Sequence, residues 1–326
     1  MKYFATLGPN FNSVEDLVKA IKLGLTGVRI NLSHSNLKAC KTWLDNIKTA
    51  DEISHKKTEI LLDIKGAELR IKIKKDMTLS AGDEVFISAN DQVDHENTII
   101  IDSIAMQELE LGDLVHIDDG KVSLKIIDKK NHLARASLLE KATIKKGKSF
   151  SIKDKQILLP SVSDEDLDNF IYSQVYDIKS FMIPFVRSRE DILMVRRALD
   201  KLNINNYTIY SKIEDIIGYE KLEEIAAFSD EVVIARGDLG NNVGLIKVSS
   251  LQKKISKYCR SIDKNFMVVT QLLNSMIENP IPTSAEINDI YNSSLDGATS
   301  LMLTGETAIG KYPLKSIEYL VNASKI

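Results

Sequence analysis

Two carboxylates, Glu214 and Asp238, close neighbouring runs of apolar and β-branched residues, at Ser211-Lys212-Ile213-Glu214 and Ala235-Arg236-Gly237-Asp238. A pair of carboxylates with room for water and substrate oxygens suits a hard cation, Mg2+ or Mn2+, better than zinc, which takes His or Cys. Lys212 and Arg29 bring positive charge to the same rim, the arrangement a phosphoryl group needs. Other runs also end on polar residues: Arg29-Ile30-Asn31-Leu32-Ser33-His34, Asp63-Ile64-Lys65-Gly66, Thr270-Gln271 and Thr304-Gly305-Glu306-Thr307. Strand alternation turns Arg29, Asn31 and Ser33 to one side, and Lys212 with Glu214 likewise. Any one of these residues alone reads as part of a salt-bridge network. Polar ends on six strands together read as a reaction site.

The elements that must carry these residues repeat. A short apolar run, a polar elbow and a helix-length amphipathic stretch recur along the chain. The strand-like runs are residues 2–7, 27–33, 58–66, 178–185, 207–214, 231–238, 265–272 and 299–306. Helical patterns lie between most of them, at 13–24, 188–202, 218–228 and 245–261. The runs are almost continuously apolar, as strands buried on both faces are. Eight such units predict an α/β fold, a (β/α)8 TIM barrel with its reactive groups at the C-terminal ends of the strands. After the third strand, about 90 residues without helical periodicity interrupt the count; they carry turn signals such as Ala81-Gly82-Asp83 and Asp118-Asp119-Gly120. They predict an inserted small β-barrel lid domain over 67–159, with the catalytic barrel formed by 1–66 and 160–326 and hinges at Gly66-Ala67 and Leu159-Pro160.

Composition narrows the function further. Forty-three Lys and Arg against 46 Asp and Glu leave a net charge of −3, which gives no electrostatic argument for nucleic acid or an anionic membrane. No apolar run reaches the roughly 20 residues of a membrane span, and no secretory leader is read at the N-terminus. Cys40 and Cys259 cannot make a disulfide framework and read as packing residues of a cytoplasmic protein. Gly305-Glu306-Thr307-Ala308-Ile309-Gly310-Lys311 imitates a phosphate-binding loop. Tyr312 stands where its Ser or Thr belongs, however, and Pro313 follows, so this is read as a decoy.

In their order along the chain, these stretches resemble the pyruvate kinase family. The resemblance is carried by Ala5-Thr6-Leu7-Gly8-Pro9, the Val28–His34 run, Leu62-Asp63-Ile64-Lys65-Gly66-Ala67-Glu68-Leu69-Arg70, Ile117-Asp118-Asp119-Gly120, and the Lys212–Glu214 and Arg236–Gly240 runs. Thr270-Gln271-Leu272-Leu273-Asn274-Ser275-Met276 and Leu303–Ala308 with Lys311-Tyr312-Pro313 complete it. The resemblance implies phosphoryl transfer between phosphoenolpyruvate and ADP, giving pyruvate and ATP. It implies a divalent Mg2+ or Mn2+ on Glu214 and Asp238, and a K+ held by Asn31, Ser33, Asp63 and the carbonyl of Ile64. Lys212, Thr270 and Arg29 would be the catalytic set, with Arg29, Lys212, Gly237, Asp238 and Thr270 binding substrate and Arg70, His34 and Asn31 binding nucleotide. Glu68 is the residue type of K+-dependent members.

Departures from the family pattern set the alternatives. The usual C-terminal regulatory domain is expected to be absent, which leaves homo-oligomerisation open. Ser284 replaces an Arg, Pro184 a Ser, Ile64 a Thr and Ala67 a Pro; Asn241-Asn242 replaces an apolar–Glu pair, and Ile171 falls where a nucleotide-binding Lys is common. The metal and phosphoenolpyruvate side is complete, while the nucleotide side is eroded. A divergent enzyme with another phosphoryl acceptor or donor, and a silent paralogue that binds a metabolite or protein, therefore stand beside the leading reading.

Overall fold

The computed structural model describes the 326-residue chain except His34, Ala67, Glu68, Asp94, Asp119, Asp154, Gln156, Leu158, Leu159, Pro160 and Ile326. The roles expected for His34 and Glu68, and the hinge positions Ala67, Leu159 and Pro160, lie outside the described residues. Spatially the chain divides into two compact units, Met1–Gly66 with Pro160–Ile326, and Ala67–Leu159.

The first unit is a closed parallel barrel. Its eight strands are β1 Lys2–Thr6, β2 Gly27–Asn31, β3 Glu59–Asp63, β4 Ser180–Ile183, β5 Thr208–Ile213, β6 Glu231–Ala235, β7 Asn265–Val269 and β8 Ser300–Leu303. Each lies beside its sequence neighbours, and β8 closes on β1. Helices such as Val14–Leu23, Lys41–Ser54, Arg189–Lys201 and Leu245–Ser261 surround it. The first shows why they form. Leu17, Ala20 and Ile21 recur at helical spacing on the buried face, the Ser13 hydroxyl caps the Asp16 amide, and Gly24 ends the helix at φ 114°.

Alternation sorts the strand side chains into two cores. Val28, Ile30, Ile209, Val232, Ile234, Val268 and Leu301 face outward to the helices. Phe4, Leu61, Met182, Tyr210, Val233, Met267 and Met302 fill the barrel interior. Gly27 takes an inner position beside them; a Cβ there would stand 2.2 Å from the Phe4 ring, so glycine is what admits the ring. This apolar plug separates two polar layers, one at each end of the barrel.

Strand boundaries differ from the sequence expectation in one systematic way. The run 231–238 stops at Ala235, where helix Arg236–Val243 begins, and the run 299–306 stops at Leu303, before helix Gly305–Ala308. Asp238 and Glu306 therefore stand on helices, not on strand ends. Alternation carries no mark of the residue at which ladder pairing ends and the chain turns outward. The expected helix over 218–228 is two short ones, Ile216–Glu220 and Leu222–Phe228.

The second unit has its own core, with Val85, Ile87, Ile99, Val115, Leu124 and Ile126 all buried. Its curled six-stranded sheet runs in the order Phe150–Ile152, Leu114–Ile117, Val122–Lys130, Leu133–Leu138, Glu84–Ser88, Thr98–Ile100; Met77–Leu79 pairs separately with Ala142–Ile144. The stretch read as free of helix contains one, Ser103–Glu108, capped by Asp102 and too short to leave a periodic signal. In the first unit, Cys40 and Cys259 are buried, and Lys311 pairs with Glu278. Among the described residues no helix is long and apolar enough to cross a membrane.

The polar layer at the N-terminal ends of the strands carries a testable charge. Glu59 accepts hydrogen bonds from Lys2, Ser180 and Tyr210, each at 2.7 Å, and these outweigh its burial and hold its carboxyl below the usual range. Glu231 is 4% exposed, its Oε1 lies 3.5 Å from the Thr299 hydroxyl, and burial pushes its carboxyl up to about 7. A carboxyl raised in the folded state adds stability below its unfolded value near 4.5 and loses it as pH climbs through about 7. Glu231→Gln should remove that loss. Urea unfolding at pH 8 should show the variant gaining about 3 kcal/mol relative to its difference from wild type at pH 4. A pH-independent difference would show Glu231 to be charged in the fold.

Candidate active site

Asp63, the last residue of β3 and 1% exposed, is the centre of the other polar layer. Its Oδ2 accepts from Arg29 Nε at 2.9 Å, Arg29 Nη2 at 2.5 Å and Lys212 Nζ at 3.3 Å. Arg29 also donates to the Thr6 hydroxyl at 3.2 Å, and Thr6 in turn donates to the Leu303 carbonyl at 3.0 Å. Four strands thus converge on the guanidinium and the carboxylate. Burial alone would raise the Asp63 carboxyl, but Lys212 and Arg29 together hold it below the ordinary range. The chain beyond β3 is fixed by buried Asp166, which accepts the Lys65 and Gly66 amides at 2.9 and 3.0 Å. Gly66 sits at φ 57° against the Pro184 ring, where a Cβ would come within 2.7 Å.

Lys212 Nζ also reaches Glu214 Oε1 at 3.0 Å, so two carboxylates flank it. Burial would depress the Lys212 ammonium, yet Asp63 and Glu214 outweigh that and raise it, keeping it charged at neutral pH. Glu214 is pushed up to about 7 by burial, with Asp238 and Asp63 adding to the rise and Lys212 opposing it. Glu214 Oε2 accepts the Phe185 amide at 2.7 Å, and Phe185 holds φ 46°, a costly conformation for a bulky residue. The Asp238 carboxylate, half-buried, makes no hydrogen bond or ion pair among the described residues. An open carboxylate beside a buried one crowded by like charge is an oxygen donor set that a hard divalent cation relieves.

Thr270 follows β7 in an unusual conformation, φ 70°, and Gln271 follows at φ 56°. A β-branched residue pays for that geometry in strain, and here Arg236 maintains it. Its Nε and Nη2 both donate to the Thr270 carbonyl, at 3.1 and 2.7 Å, while Nη1 pairs with Asp289 at 2.6 Å. The Gly237 amide, in the first turn of helix Arg236–Val243, donates to Thr270 Oγ1 at 2.7 Å. That bond uses the hydroxyl as acceptor and leaves its hydrogen for another group.

A family profile described as pyruvate kinase, barrel domain, matches residues 1–317. The chain belongs to the pyruvate kinase family. It is 33% identical over 325 residues to the pyruvate kinase of Aeropyrum pernix, covering 99% of this chain and 70% of that protein. It is 33% identical over 327 residues to that of Staphylococcus haemolyticus, of which it spans 56%. Among solved structures, a pyruvate kinase from Cryptosporidium parvum superposes with a TM-score of 0.90 at 28% identity, over 99% of this chain and 69% of that one. The chain thus spans 56% to 70% of the length of these pyruvate kinases.

Within this family member, the sequence-expected residues fall into groups. Arg29, Asp63, Lys212 and Glu214 are in direct contact, and Gly237 touches Thr270. Asn31 is paired in register with Asp63, and its Oδ1 accepts the Ser33 amide at 3.1 Å; Ile64 is buried and donates to the Met182 carbonyl at 3.0 Å. Arg70 belongs to the inserted unit, where Nη1 donates to the Gly147 carbonyl at 2.6 Å. Glu306, read as part of the polar rim, holds backbone instead: it accepts the Leu273 and Thr304 amides at 3.1 and 2.8 Å. Thr6, Phe185 and the Arg236 clamp had no role in the sequence reading. Only the contact geometry shows them, since a backbone amide or a carbonyl acceptor leaves no residue-type signal.

The ion triad gives Asp63 a structural role. Asp63→Ala leaves Arg29 and Lys212, whose side chains are 13% and 12% exposed, facing each other without their shared anion. Breaking a buried pair from one side typically costs about 3–5 kcal/mol. Guanidinium unfolding should place Asp63→Ala at about 3 kcal/mol less stable than wild type. A loss below about 1 kcal/mol would show that hydration at the barrel mouth replaces the carboxylate.

Proposed function

We propose that the chain catalyses phosphoryl transfer from phosphoenolpyruvate to ADP, yielding pyruvate and ATP. The observation that carries this reading is the position of Lys212 Nζ, 3.3 Å from Asp63 and 3.0 Å from Glu214, beside the open Asp238 carboxylate at a barrel mouth. Phosphoryl transfer needs fixed charge and in-line positioning more than a nucleophilic side chain, and this layer supplies the fixed charge. An oxygen of the ADP β-phosphate attacks phosphorus, the bond from phosphorus to the enol oxygen breaks with its electron pair leaving on oxygen, and C3 of the resulting enolate takes up a proton.

The residues divide that work. Lys212 stays protonated and serves as a cation aimed at the phosphoryl oxygens, not as a base. Arg29, held by Asp63 and Thr6, contributes the second positive charge. The Thr270 hydroxyl, fixed by the Gly237 amide, offers its hydrogen to the substrate carboxylate and lies on the proton route to the enolate. Glu214 and Asp238 are the residues to hold Mg2+ or Mn2+, which when bound neutralises charge on the transferring group. Asn31, Ser33, Asp63 and the Ile64 carbonyl are the residues to hold K+. Asp63 Oδ1 supports this, being buried with no hydrogen bond among the described residues and only the Lys212 ammonium near it, at 3.3 Å.

Lys212→Met separates binding from chemistry. Oxalate, a metal-chelating mimic of the enolate, should still bind the variant in the presence of Mn2+, while turnover falls by about 10²–10³-fold. Normal turnover would make Lys212 structural and end this assignment. The acceptor is tested by pyruvate release from phosphoenolpyruvate over a panel of acceptors. Ile171, 53% exposed where the family pattern has a nucleotide-binding Lys, favours a second reading in which the acceptor is not ADP. Release with ADP decides for the first reading, and release only with another acceptor decides for the second.

Activity should depend on K+. Ser33→Ala removes one oxygen without disturbing the ion triad, and should raise the K+ concentration for half-activation about tenfold. Full activity of the wild type in K+-free buffer would refute the monovalent site.

A further inference from the structure

We propose that Asn242 is a positioning residue that sets the geometry of the Glu214 and Asp238 pair. The inference rests on the reading of those two carboxylates as the divalent-cation site. Asn242 lies in the last turn of helix Arg236–Val243, whose first turn carries Asp238. Its Nδ2 donates to the Asp238 carbonyl at 2.9 Å and to the Glu214 carbonyl at 3.1 Å. An amide nitrogen has two hydrogens, and each of these carbonyls takes one.

The second bond crosses between elements. The ladder between β5 and β6 ends at the pair Ile213–Ile234, so the backbones of Glu214 and Asp238 lie beyond the last paired residues. Past that point the Asn242 amide links the two. The carboxylate ends differ in how firmly they are held: Glu214 is fixed by the Phe185 amide and Lys212, whereas the Asp238 carboxylate has no partner among the described residues. Asp238 is therefore placed through its backbone, and the backbone is what Asn242 ties to Glu214. An ionised Glu, the residue the family pattern carries here, accepts only and would face two carbonyl oxygens without a hydrogen to offer. Asn in this place supplies a hydrogen to each carbonyl. It reads as a rebuilt support for the cation site and not as loss on the nucleotide side.

The test measures Mn2+ binding to the full chain by electron paramagnetic resonance at fixed K+, alongside phosphoryl transfer. Asn242→Ala and Asn242→Leu remove both donors without adding charge. Asn241→Ala is the control, because Asn241 is exposed and its side chain makes no hydrogen bond among the described residues. Glu214→Gln tests the cation reading itself. The expected result is Mn2+ binding weakened about tenfold in both Asn242 variants, unchanged in Asn241→Ala and abolished in Glu214→Gln. The Mn2+ concentration for half-maximal activity should rise by the same factor, with kcat at saturating Mn2+ within about twofold of wild type. Wild-type Mn2+ affinity in the Asn242 variants, with binding lost in Glu214→Gln, overturns the positioning role alone. So does a lowered melting temperature with unchanged affinity, which would mark Asn242 as merely structural. Absence of Mn2+ binding by the wild type, or its retention in Glu214→Gln, overturns the cation reading and this inference with it.

Discussion

A buried carboxylate shared by two cations governs the mouth of this barrel. Arg29 and Lys212 keep Asp63 ionised at that depth, and Asp63 in turn compensates both cations, with Glu214 as a second partner for Lys212. The arrangement requires strands two, three and five to end at matching heights, which closure of the barrel enforces through its register. Charge compensation also fixes what the lysine can do. Between two carboxylates it keeps its proton, so what it presents to the barrel mouth is a fixed positive charge.

Strain at the rim follows the same logic. Phe185 and Thr270 occupy left-handed backbone conformations that side chains of their size avoid, and each is held by a group at the site, Glu214 in one case and Arg236 in the other. A rigid barrel wall can maintain such positions because its apolar layers are close-packed and cannot relax locally. The charged groups are thereby held in fixed positions, the condition under which the proposed phosphoryl transfer would gain from them.

Much of this was legible in the residues themselves. Near-continuous apolar runs fixed the eight strands, and alternation correctly grouped Lys212 with Glu214. Turn density marked the inserted unit. Placement of Asp238 and Glu306 was not legible, because a helix starting directly after a strand offers no polar elbow to announce it. Glu306 shares its residue type with Glu214 and a comparable position at the end of an apolar run, yet it serves two backbone amides. Residue type reports available chemistry; whether a carboxylate faces substrate or backbone depends on turns that only three dimensions display. Asn242 shows the reverse case, a residue read as loss whose two hydrogen bonds give it a place in the support of the site.

Closure of the barrel has a consequence for how the chain is made. Lys2 pairs in register with Ser300, and the Lys2 amide donates to the Thr299 carbonyl at 2.8 Å. The partner of the first strand is therefore synthesised about 300 residues after it, roughly half a minute later at ~10 residues per second. Throughout that interval β1 presents an unpaired hydrophobic edge, Tyr3-Phe4-Ala5, on its open side. The inserted unit, complete within its own stretch of sequence, can form while the barrel is still open, but the barrel cannot seal until β8 emerges. The open edge of β1 thus stays unpaired until β8 has been made, and shielding it falls to whatever meets the chain as it leaves the ribosome.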